Sequence, residues 1–337
     1  MVRTYIFKST KQSDRRIERG GRPYDVQELI ECFYSNAYHA ACVKIKTICI
    51  LGDGIVDESI NKKLQEIVRK DSIFTLLNKT ILDLRIFGDA FWEIVRTGNS
   101  VEIYYMPSWT MSEGKEGGWI QSVGGKKVEF SDDQVWHFYE PNMLSQLWGA
   151  PDYMQIVESV QLYSTIRTYN KNFFVNNAIP DSIIFLKGGD ISPSTESGIR
   201  KFFRDKFRGV ENAAKFCIAP LPEGVDVQLE KLQDTKDGKF LELKDSLITE
   251  ISACHGVPPR LISILVAGKL GGAGEAEGEL KIFLATQIKP MQNILGGQLD
   301  AFFKDVLNIQ TDITFKAFDL TPSAGATALD TLRQLGL

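Results

Sequence analysis

The sequence has few of the residues that build metal centres and none of the motifs that bind nucleotides. Only three histidines occur in 337 residues, and His39, His137 and His255 share no metal-ligand spacing. No GxSxG or GxxxxGK[ST] motif is present, and the AGKLGG segment lacks both the upstream glycine and the following hydroxyl residue of a phosphate loop. The sequence therefore predicts no metal ion and no cofactor.

Cysteine is also sparse, and the five residues form no CxxC pair. They are Cys32, Cys42, Cys49, Cys217 and Cys254. This spacing favours buried free thiols in a protein made in a reducing compartment.

Long apolar runs and an excess of positive charge are absent too. No segment approaches the ~20 uncharged apolar residues that span a bilayer, and the start of the chain has no apolar core of signal-peptide length. We therefore expect neither secretion nor a membrane partner. Lys and Arg total 39 against 43 Asp and Glu, a net charge of −4, which argues against tight phosphate binding over the whole surface. If DNA is a partner, it is held loosely or locally.

The hydrophobic content of 43% is enough for two or three cores, and the first half of the chain predicts an α+β domain. Residues 1–24 are predicted to form an exposed arm. Apolar residues at three- and four-residue steps predict one or two helices in 25–50 and two more in 60–69 and 73–87. The short runs AFWEIV, VEIYYM, GWIQSV, KKVEF and QVWHFY then predict antiparallel strands. This first domain is placed at residues 25–150.

The second half predicts two long helices on either side of a small β-α-β block. The first helix opens at Pro151 and extends to about residue 178, and the second occupies 236–256. The glycine-rich segment 267–278 is expected to lack regular structure. A long helix over 279–307 should be kinked by Pro290, followed by a strand at ITFKAF and a helix at TALDTLRQLGL.

Several segments, in this order and spacing, resemble the phage portal family of the PBSX type. They are RIFGDAFWEIVR, VWHFYEPNMLSQLWGAPDYMQIVESVQLYSTIRTYNKNFFVNNAIPDSIIF, ENAAKFCIAP, KFLELKDSLITEISACHGVPPRLI and IKPMQNIL. The resemblance covers most of the chain, from about residue 39 to residue 320. Each segment alone is a weak signal, and their order carries the resemblance.

The resemblance implies an α+β portal fold. Its parts are a wing (25–150 with 308–320), a stem of two helices (151–178 and 236–256), a clip (179–235), a tunnel loop region (257–278) and a long kinked helix (279–307). Residues 321–337 remain for a crown, which is expected to be very small or truncated.

The resemblance also implies a function that is structural and not enzymatic. Portal subunits of this type form a dodecameric ring at one capsid vertex, through which double-stranded DNA passes without sequence preference. The implied partners are the major capsid protein, the large subunit of terminase, and the head-completion or tail connector proteins. The implied location is the virion, after assembly in the host cytoplasm.

Two sets of residues are the candidate sites that the resemblance implies. The tunnel loop would face DNA through Lys269, Gly271, Gly272, Gly274 and Glu275. A basic helix in the clip would face DNA or a docking partner through Arg200, Lys201, Arg204, Lys206 and Arg208. A surface loop without a role and a solvated basic helix are the alternatives for these two segments.

Two other functions stay open from the sequence alone. One is another virion or adaptor protein. The other is a metal-dependent nuclease of the PD…ExK kind, because Pro151-Asp152 and Pro180-Asp181 occur together with ELK at Glu242 and Glu279. The nuclease is disfavoured because both ELK runs lie in helical patterns, whereas strands usually supply these ligands.

Overall fold

The computed structural model describes residues 22–316 with gaps at 99, 115–116, 144, 177–181, 188–196, 198–200, 202–225, 232–236 and 265–272. The chain divides into two compact units. The first unit contains the chain up to Val157 and again from Ile251, and the second is Glu158–Glu250. The expected C-terminal helix TALDTLRQLGL lies outside the described residues.

Four helices open the first unit: α1 (Val26–Ser35), α2 (Ala37–Leu51), α3 (Glu58–Ile67) and α4 (Ile73–Phe87). The predicted helical pattern over 25–50 is split at Asn36, whose side-chain oxygen accepts hydrogen bonds from the backbone amides of Tyr38 and His39. Such an N-cap stabilises the start of the next helix and leaves its own residue extended. The region therefore forms two helices.

Six strands follow α4: β1 (Asp89–Thr97), β2 (Ser100–Met106), β3 (Met111–Glu113), β4 (Trp119–Val123), β5 (Lys126–Phe130) and β6 (Val135–Tyr139). They form two antiparallel three-stranded sheets, in the orders β2-β1-β6 and β3-β4-β5. Five of the six strands coincide with the runs predicted from the sequence. Only β3 was missed, because three residues are too short to show an alternating pattern.

The turn that joins α4 to β1 requires a glycine at position 88. Its φ of 74° is in the left-handed region, and a Cβ atom there would lie 2.4 Å from the backbone of Ala150. A side chain at this position would therefore collide with the segment that leads into the second unit. Glycine both ends the helix and permits this close backbone approach.

The main core of the first unit lies where the β2-β1-β6 sheet packs on helices. Trp92 of β1 is fully buried, meets Phe138 of β6 at 4.6 Å between ring centroids, and donates its indole N–H to the hydroxyl of Thr80 at 2.8 Å. Cys32, Cys42 and Cys49 are buried free thiols, as predicted, and burial raises the pKa of Cys42 to about 12. Such thiols behave as small apolar side chains.

The second unit contains long helices and a small sheet. A short 3₁₀ turn (Met154–Ile156) precedes α5 (Val157–Asn176), and α6 (Asp237–Cys254) returns the chain to the first unit. Between them, β7 (Ser182–Lys187) and β8 (Asp226–Lys231) pair antiparallel. Most of the chain between these two strands, where the rest of the predicted β-α-β block falls, lies outside the described residues. No helix within the described ranges is long and apolar enough to cross a membrane.

The last helical region differs from its prediction in two ways. Helix α7 (Ala273–Phe283) begins six residues before residue 279, and a π-helical turn (Leu284–Ile288) joins it to α8 (Lys289–Leu307). The expectation of irregular structure up to residue 278 is therefore wrong for 273–278. The irregularity expected at Pro290 is taken up by the π turn just before it, where the amide of Lys289 donates to the carbonyl of Leu284.

The predicted strand at ITFKAF is reduced, within its described part, to one antiparallel bridge between Phe315 and Ile55. The segment is short because it pairs with a turn: the amide of Val56 donates to Thr314 and that of Lys316 to Gly54. Gly296 of α8 permits this arrangement, since a Cβ atom there would lie 2.5 Å from the carbonyl oxygen of Ile313.

Candidate functional site

A buried aromatic and histidine cluster holds the two points at which the first unit connects to the long helices. Tyr153 lies four residues before α5, and His255 directly follows α6. Both contact His39 of α2: the His39 Nδ1 and His255 Nε2 atoms are 3.0 Å apart, and the His39 and Tyr153 ring centroids are 4.4 Å apart. We call His39, Tyr153 and His255 the root cluster.

The root cluster is uncharged at neutral pH. Burial lowers the pKa of His39 to about 4 and lowers the pKa of His255 well below its usual value. One ring therefore donates to the other within a neutral pair. The Tyr153 hydroxyl donates to the carbonyl of Ile86 at 2.7 Å, which ties the cluster to α4. The arrangement suits support of the helix ends and not proton transfer with solvent.

A group of four charges lies in the same unit and includes Asp152, the residue next to Tyr153; the Asp152 side chain is 33% exposed. Lys46 Nζ is 2.6 Å from Asp152 Oδ2, Arg85 Nη1 is 3.7 Å from the same oxygen, and Arg85 also pairs with Glu140. The Lys46 and Arg85 side chains are only 1% and 2% exposed. We call Lys46, Arg85, Glu140 and Asp152 the charge quartet; its formal net charge is zero.

The quartet balances the cost of burying each of its charges. Burial would raise the pKa of Asp152, but Lys46 and Arg85 outweigh it and hold that pKa below its ordinary value. Burial lowers the pKa of Lys46, an effect that Asp152 opposes, and burial raises the pKa of Glu140 although Arg85 opposes it. Removing Asp152 would leave Lys46 buried and unpaired, and removing Arg85 would leave Glu140 without its partner; both changes should be strongly destabilising.

The quartet also reaches α8, because Arg85 Nη1 lies 3.2 Å from the sulfur of Met291. Met291 follows Pro290 and the π turn, in the region that the resemblance places beside the tunnel loop. The buried Arg85 side chain on α4 thus contacts three separate parts of the chain. These are Asp152 ahead of α5, Glu140 directly after β6, and Met291 near the start of α8.

The buried carboxylate of Asp89 holds the loop between β6 and Tyr153 in place by hydrogen bonds. Asp89 is fully buried, and its Oδ1 atom accepts from the amide of Gly149 and lies 2.8 Å from His137 Nε2. The hydroxyl of Tyr24 donates to its Oδ2 atom at 2.8 Å. The start of the described chain is thereby attached to β1.

The carboxylates required for a metal-dependent nuclease do not come together in the described residues. Asp152 is engaged by Lys46, while Glu242 and Glu279 lie on α6 and α7. Within the described ranges, no three His, Cys, Asp or Glu side chains form a group that could hold a metal ion. Asp181 lies outside those ranges.

The long helices of the second unit contact each other through described side chains. The Ser159 hydroxyl of α5 donates to Glu250 of α6 at 2.9 Å, and the Lys244 ammonium lies 6.0 Å from the ring centroid of Tyr163. Each helix also leaves a large apolar side chain in solvent: Leu162 is 43% exposed and Leu243 is 40% exposed.

The predicted tunnel-loop residues fall on both sides of the start of α7. Lys269, Gly271 and Gly272 lie outside the described residues. Gly274 and Glu275 are in the first turn of α7, contrary to the expectation of an irregular segment. Helix formation extends into the glycine-rich run because Ala273, Glu275 and Ala276 favour helix. A role in facing DNA stays a prediction for all five residues.

The predicted basic helix of the clip is described at only one of its five site residues. Lys201 is helical and exposed. Arg200, Arg204, Lys206 and Arg208 lie outside the described residues. Their role in contacting DNA or a docking partner stays a prediction.

Comparison with known families identifies the class to which this fold belongs. The phage portal protein family matches residues 37–333, and the chain belongs to that family. The match covers every described helix and strand from α2 to α8. The PBSX subtype stays a prediction.

Individual relatives of the chain include probable portal proteins of two phages. The chain is 23% identical over 231 residues to the probable portal protein of Escherichia phage P2, covering 64% of each chain. It is 23% identical over 246 residues to the probable portal protein of Haemophilus phage HP1, covering 68% of this chain and 70% of that one. The alignment thus spans less than two thirds of the P2 protein.

Solved structures show the fold. A chain from the neck of an empty gene transfer agent particle, computed with C6 symmetry, superposes with a TM-score of 0.63 at 20% identity over 94% of both chains. An HK97 family phage portal protein from Corynebacterium diphtheriae gives 0.58 at 14% identity, covering 85% of this chain and 94% of that one. The predicted α+β portal fold is confirmed.

Proposed function

We propose that this protein is a portal subunit that assembles into a twelve-membered ring and provides the channel for double-stranded DNA at one vertex of a capsid. The observation that carries the proposal is the family match over residues 37–333, combined with a fold likeness that covers 93% of the chain. That likeness is to the neck of a native gene transfer agent particle computed with C12 symmetry.

The charge of the chain suits a conduit. A channel must let a polyanion slide, so contacts to phosphate should be weak and independent of sequence. A net charge of −4 is compatible with that requirement. In this proposal DNA touches the ring through local positive groups, such as the helix that carries Lys201.

The neutral root cluster and the charge quartet would hold in place the chain segments of the first unit that precede and follow the stem helices. The root cluster includes residues near both of these points, the quartet includes Asp152 near the first, and neither has a net formal charge. We propose α5 and α6 as the stem, with Leu162 and Leu243 covered by neighbouring subunits. The clip between them would dock the large subunit of terminase during packaging and tail connector proteins afterwards.

Other roles follow from the same assignment. The ring would contact the major capsid protein and would be a virion component that assembles in the host cytoplasm. ATP hydrolysis would belong to terminase, because this chain has no phosphate-binding loop.

Electron microscopy of the purified full-length protein tests the proposal. Class averages should show rings with a central channel and twelve-fold symmetry. A compact monomer at micromolar concentration would contradict the proposal, because the exposed apolar residues of the stem would then have no covering surface.

The absence of enzymatic activity is a separate expectation of the proposal. The purified chain should hydrolyse neither ATP nor DNA in the presence of Mg²⁺ or Mn²⁺. Activity that survives purification and is abolished by Glu242→Ala or Glu279→Ala would favour the nuclease instead, whereas activity unchanged in both variants would indicate a contaminant.

A further inference from the structure

A cleft in the first unit combines an apolar floor with an acidic rim. It has a volume of about 530 Å³ and lies among the start of α3, the last turns of α8 and the segment 309–312. Ile60, Phe303 and Ile309 line the floor; Ile60 and Phe303 are nearly fully buried, so Ile309 supplies most of the apolar surface that a ligand could contact. Asp57 and Asp312 lie at the exposed edge. Such a surface suits a peptide with apolar and basic side chains.

The acidic character of the rim is fixed by local structure. Asp57 is the N-cap of α3 and accepts hydrogen bonds from the hydroxyl and the amide of Ser59, both at 2.7 Å, which hold its pKa below the ordinary value. Lys63 also lines the cleft, but its ammonium is paired with Glu66 at 3.0 Å. Asp312 is exposed and has no hydrogen bond or ion pair within the described part of the chain.

The walls of the cleft are held in place. Asp300 of α8 accepts hydrogen bonds from the hydroxyl of Thr311 at 2.6 Å and from the amide of Ile313 at 3.0 Å. Gly296 permits close approach of the same segment to the helix. The cleft is therefore pre-formed, which reduces the entropic cost of binding a peptide.

The N-terminal arm has the complementary chemistry. Residues 1–21 carry six basic side chains against Asp14 and Glu18, a net charge of +4, whereas the whole chain is at −4. The segment Arg3–Lys8 reads RTYIFK: two basic residues flank tyrosine, isoleucine and phenylalanine. The C-terminal residues 317–337 have a net charge of −1, so the acidic rim would disfavour them.

The arm is long enough to reach the cleft from its point of attachment. Arg22 lies 4.2 Å above the Trp148 ring, measured to the centroid, and donates to the carbonyl of Ser108 at 3.2 Å. The fourteen residues from Lys8 to Arg22 can span about 46–50 Å when extended, enough to cross a compact domain or to reach a neighbouring copy.

We propose that the cleft lined by Asp57, Ile60, Phe303 and Asp312 binds the Arg3–Lys8 segment of the chain's own N-terminal arm, in the same subunit or in the next one. The apolar side chains of the segment pack mainly on Ile309, and its basic ends face the two carboxylates. This would give a portal ring a second connection besides its stem, but the binding itself does not depend on the portal assignment.

Site-specific photo-crosslinking in the full-length protein tests this proposal. A photoreactive amino acid replaces Gln310, an exposed residue of the cleft, and a matched variant carries it at Val128 on β5, which is 50% exposed and does not line the cleft. The crosslinked peptide is identified by mass spectrometry. We expect position 310 to capture residues 1–11 and position 128 not to do so.

Charge reversal makes the test specific. R3E together with K8E should reduce capture at position 310 by at least tenfold, D312K alone should reduce it too, and the three substitutions combined should restore much of it. Circular dichroism should be unchanged throughout, because these positions are an exposed rim residue and the arm. Capture of the arm from the same or the next subunit supports the proposal.

Two results would overturn the proposal. One is capture of residues 317–337, or of any other segment, in place of the arm. The other is arm capture that is insensitive to all of the charge reversals. Failure of ring formation alone would leave the crosslinking result interpretable, because the monomer contains both the arm and the cleft.

Discussion

The α+β body, which is the first unit, and the pair of long helices differ in the share of residues that their helices bury. Helix α4 in the body buries nine of its fifteen residues, and these include the polar Asp83 and Arg85. Helix α5 alternates buried positions such as Val160 and Ile166 with exposed ones, among them Leu162 at 43% exposure. The body also leaves large apolar side chains exposed, among them Phe74 of α4 at 58%. On the long helices, Leu162 and Leu243 are exposed apolar side chains that we expect a neighbouring subunit to cover.

The two regions also differ in the burial and pairing of their charged side chains. In the body, the Lys46 and Arg85 side chains are buried and each is paired with a carboxylate of the quartet. On the long helices the described charged groups are at the surface, where pairs contribute little. Stability should therefore reside in the body, and assembly should depend on the helices.

The largest expected effect is the loss of Arg85. Arg85→Ala should lower the free energy of unfolding by about 3–5 kcal/mol, because Glu140 would stay buried without its partner and Asp152 would lose one of its two cations. Chemical denaturation followed by circular dichroism measures this change. The control is Lys63→Ala, which breaks an exposed pair and should change stability by less than about 1 kcal/mol. Equal effects of the two variants would contradict a stabilising role of the quartet.

A matched pair of leucines on α6 separates folding from assembly. Leu247 is 4% exposed and Leu243 is 40% exposed. Leu247→Ala should destabilise the chain by about 2–4 kcal/mol through lost packing. Leu243→Ala should leave chain stability within about 0.5 kcal/mol and yet reduce the ring fraction measured by light scattering after size exclusion. If Leu243→Ala assembles like the parent, the exposed face of α6 is not a subunit contact.

The sequence predicted the elements of the body closely because their signals are local. Helix α4 has the predicted bounds, with Ser72 as its N-cap and Gly88 at its end. The strands follow alternating patterns between turn residues. The helical part of 273–278 was missed because glycine content outweighed the alanine and glutamate residues between the glycines.

The sites could not be predicted in the same way because their contacts are distant in sequence. His39 and His255 are 216 positions apart, and Lys46 and Asp152 are 106 apart. No spacing rule links such residues, so three scattered histidines gave no sign of a buried pair. The signal that could have found the quartet is the presence of Lys46 and Arg85 within otherwise apolar helical stripes, since a charge in such a position requires a partner.

The pH dependence of stability tests the neutral state of the root cluster. The pKa of His39 is about 4 in the folded protein, below the ordinary 6.5, so the unfolded chain binds more protons as the pH falls. This term should remove about 2 kcal/mol of stability between pH 7.5 and pH 5. Asp83 acts in the opposite direction: burial raises its pKa to about 7 from 3.8, so the folded protein gains stability as the pH falls through the same range.

Because the two terms oppose each other, the informative quantity is a difference between variants. In an Asp83→Asn background, stability should fall steeply from pH 7.5 to pH 5, and adding His39→Gln should reduce that dependence and leave the part that His255 contributes. Thermal unfolding across the pH range measures both. An unchanged slope after His39→Gln would show that His39 carries a proton in the folded protein.

The smallest effect on stability is expected at the start of α7, where the structure refines the prediction for the glycine-rich segment. Gly274→Ala should stabilise the helix by at most about 1 kcal/mol, since glycine is a poor helix former. Gly271 and Gly272 precede the helix, and changing both to alanine should leave rings intact while impairing packaging or retention of DNA. If the double variant packages and retains DNA like the parent, the tunnel loop does not need the freedom of these glycines.

The central claim is that the protein assembles into a ring of twelve subunits. Native mass spectrometry of the purified full-length protein tests this claim most directly. A subunit of 37.8 kDa predicts a species of about 450 kDa for twelve copies. Leu243→Ala should shift this species toward smaller masses, whereas Lys63→Ala should not. A single species near 38 kDa at micromolar concentration, with the chain folded, would contradict the account.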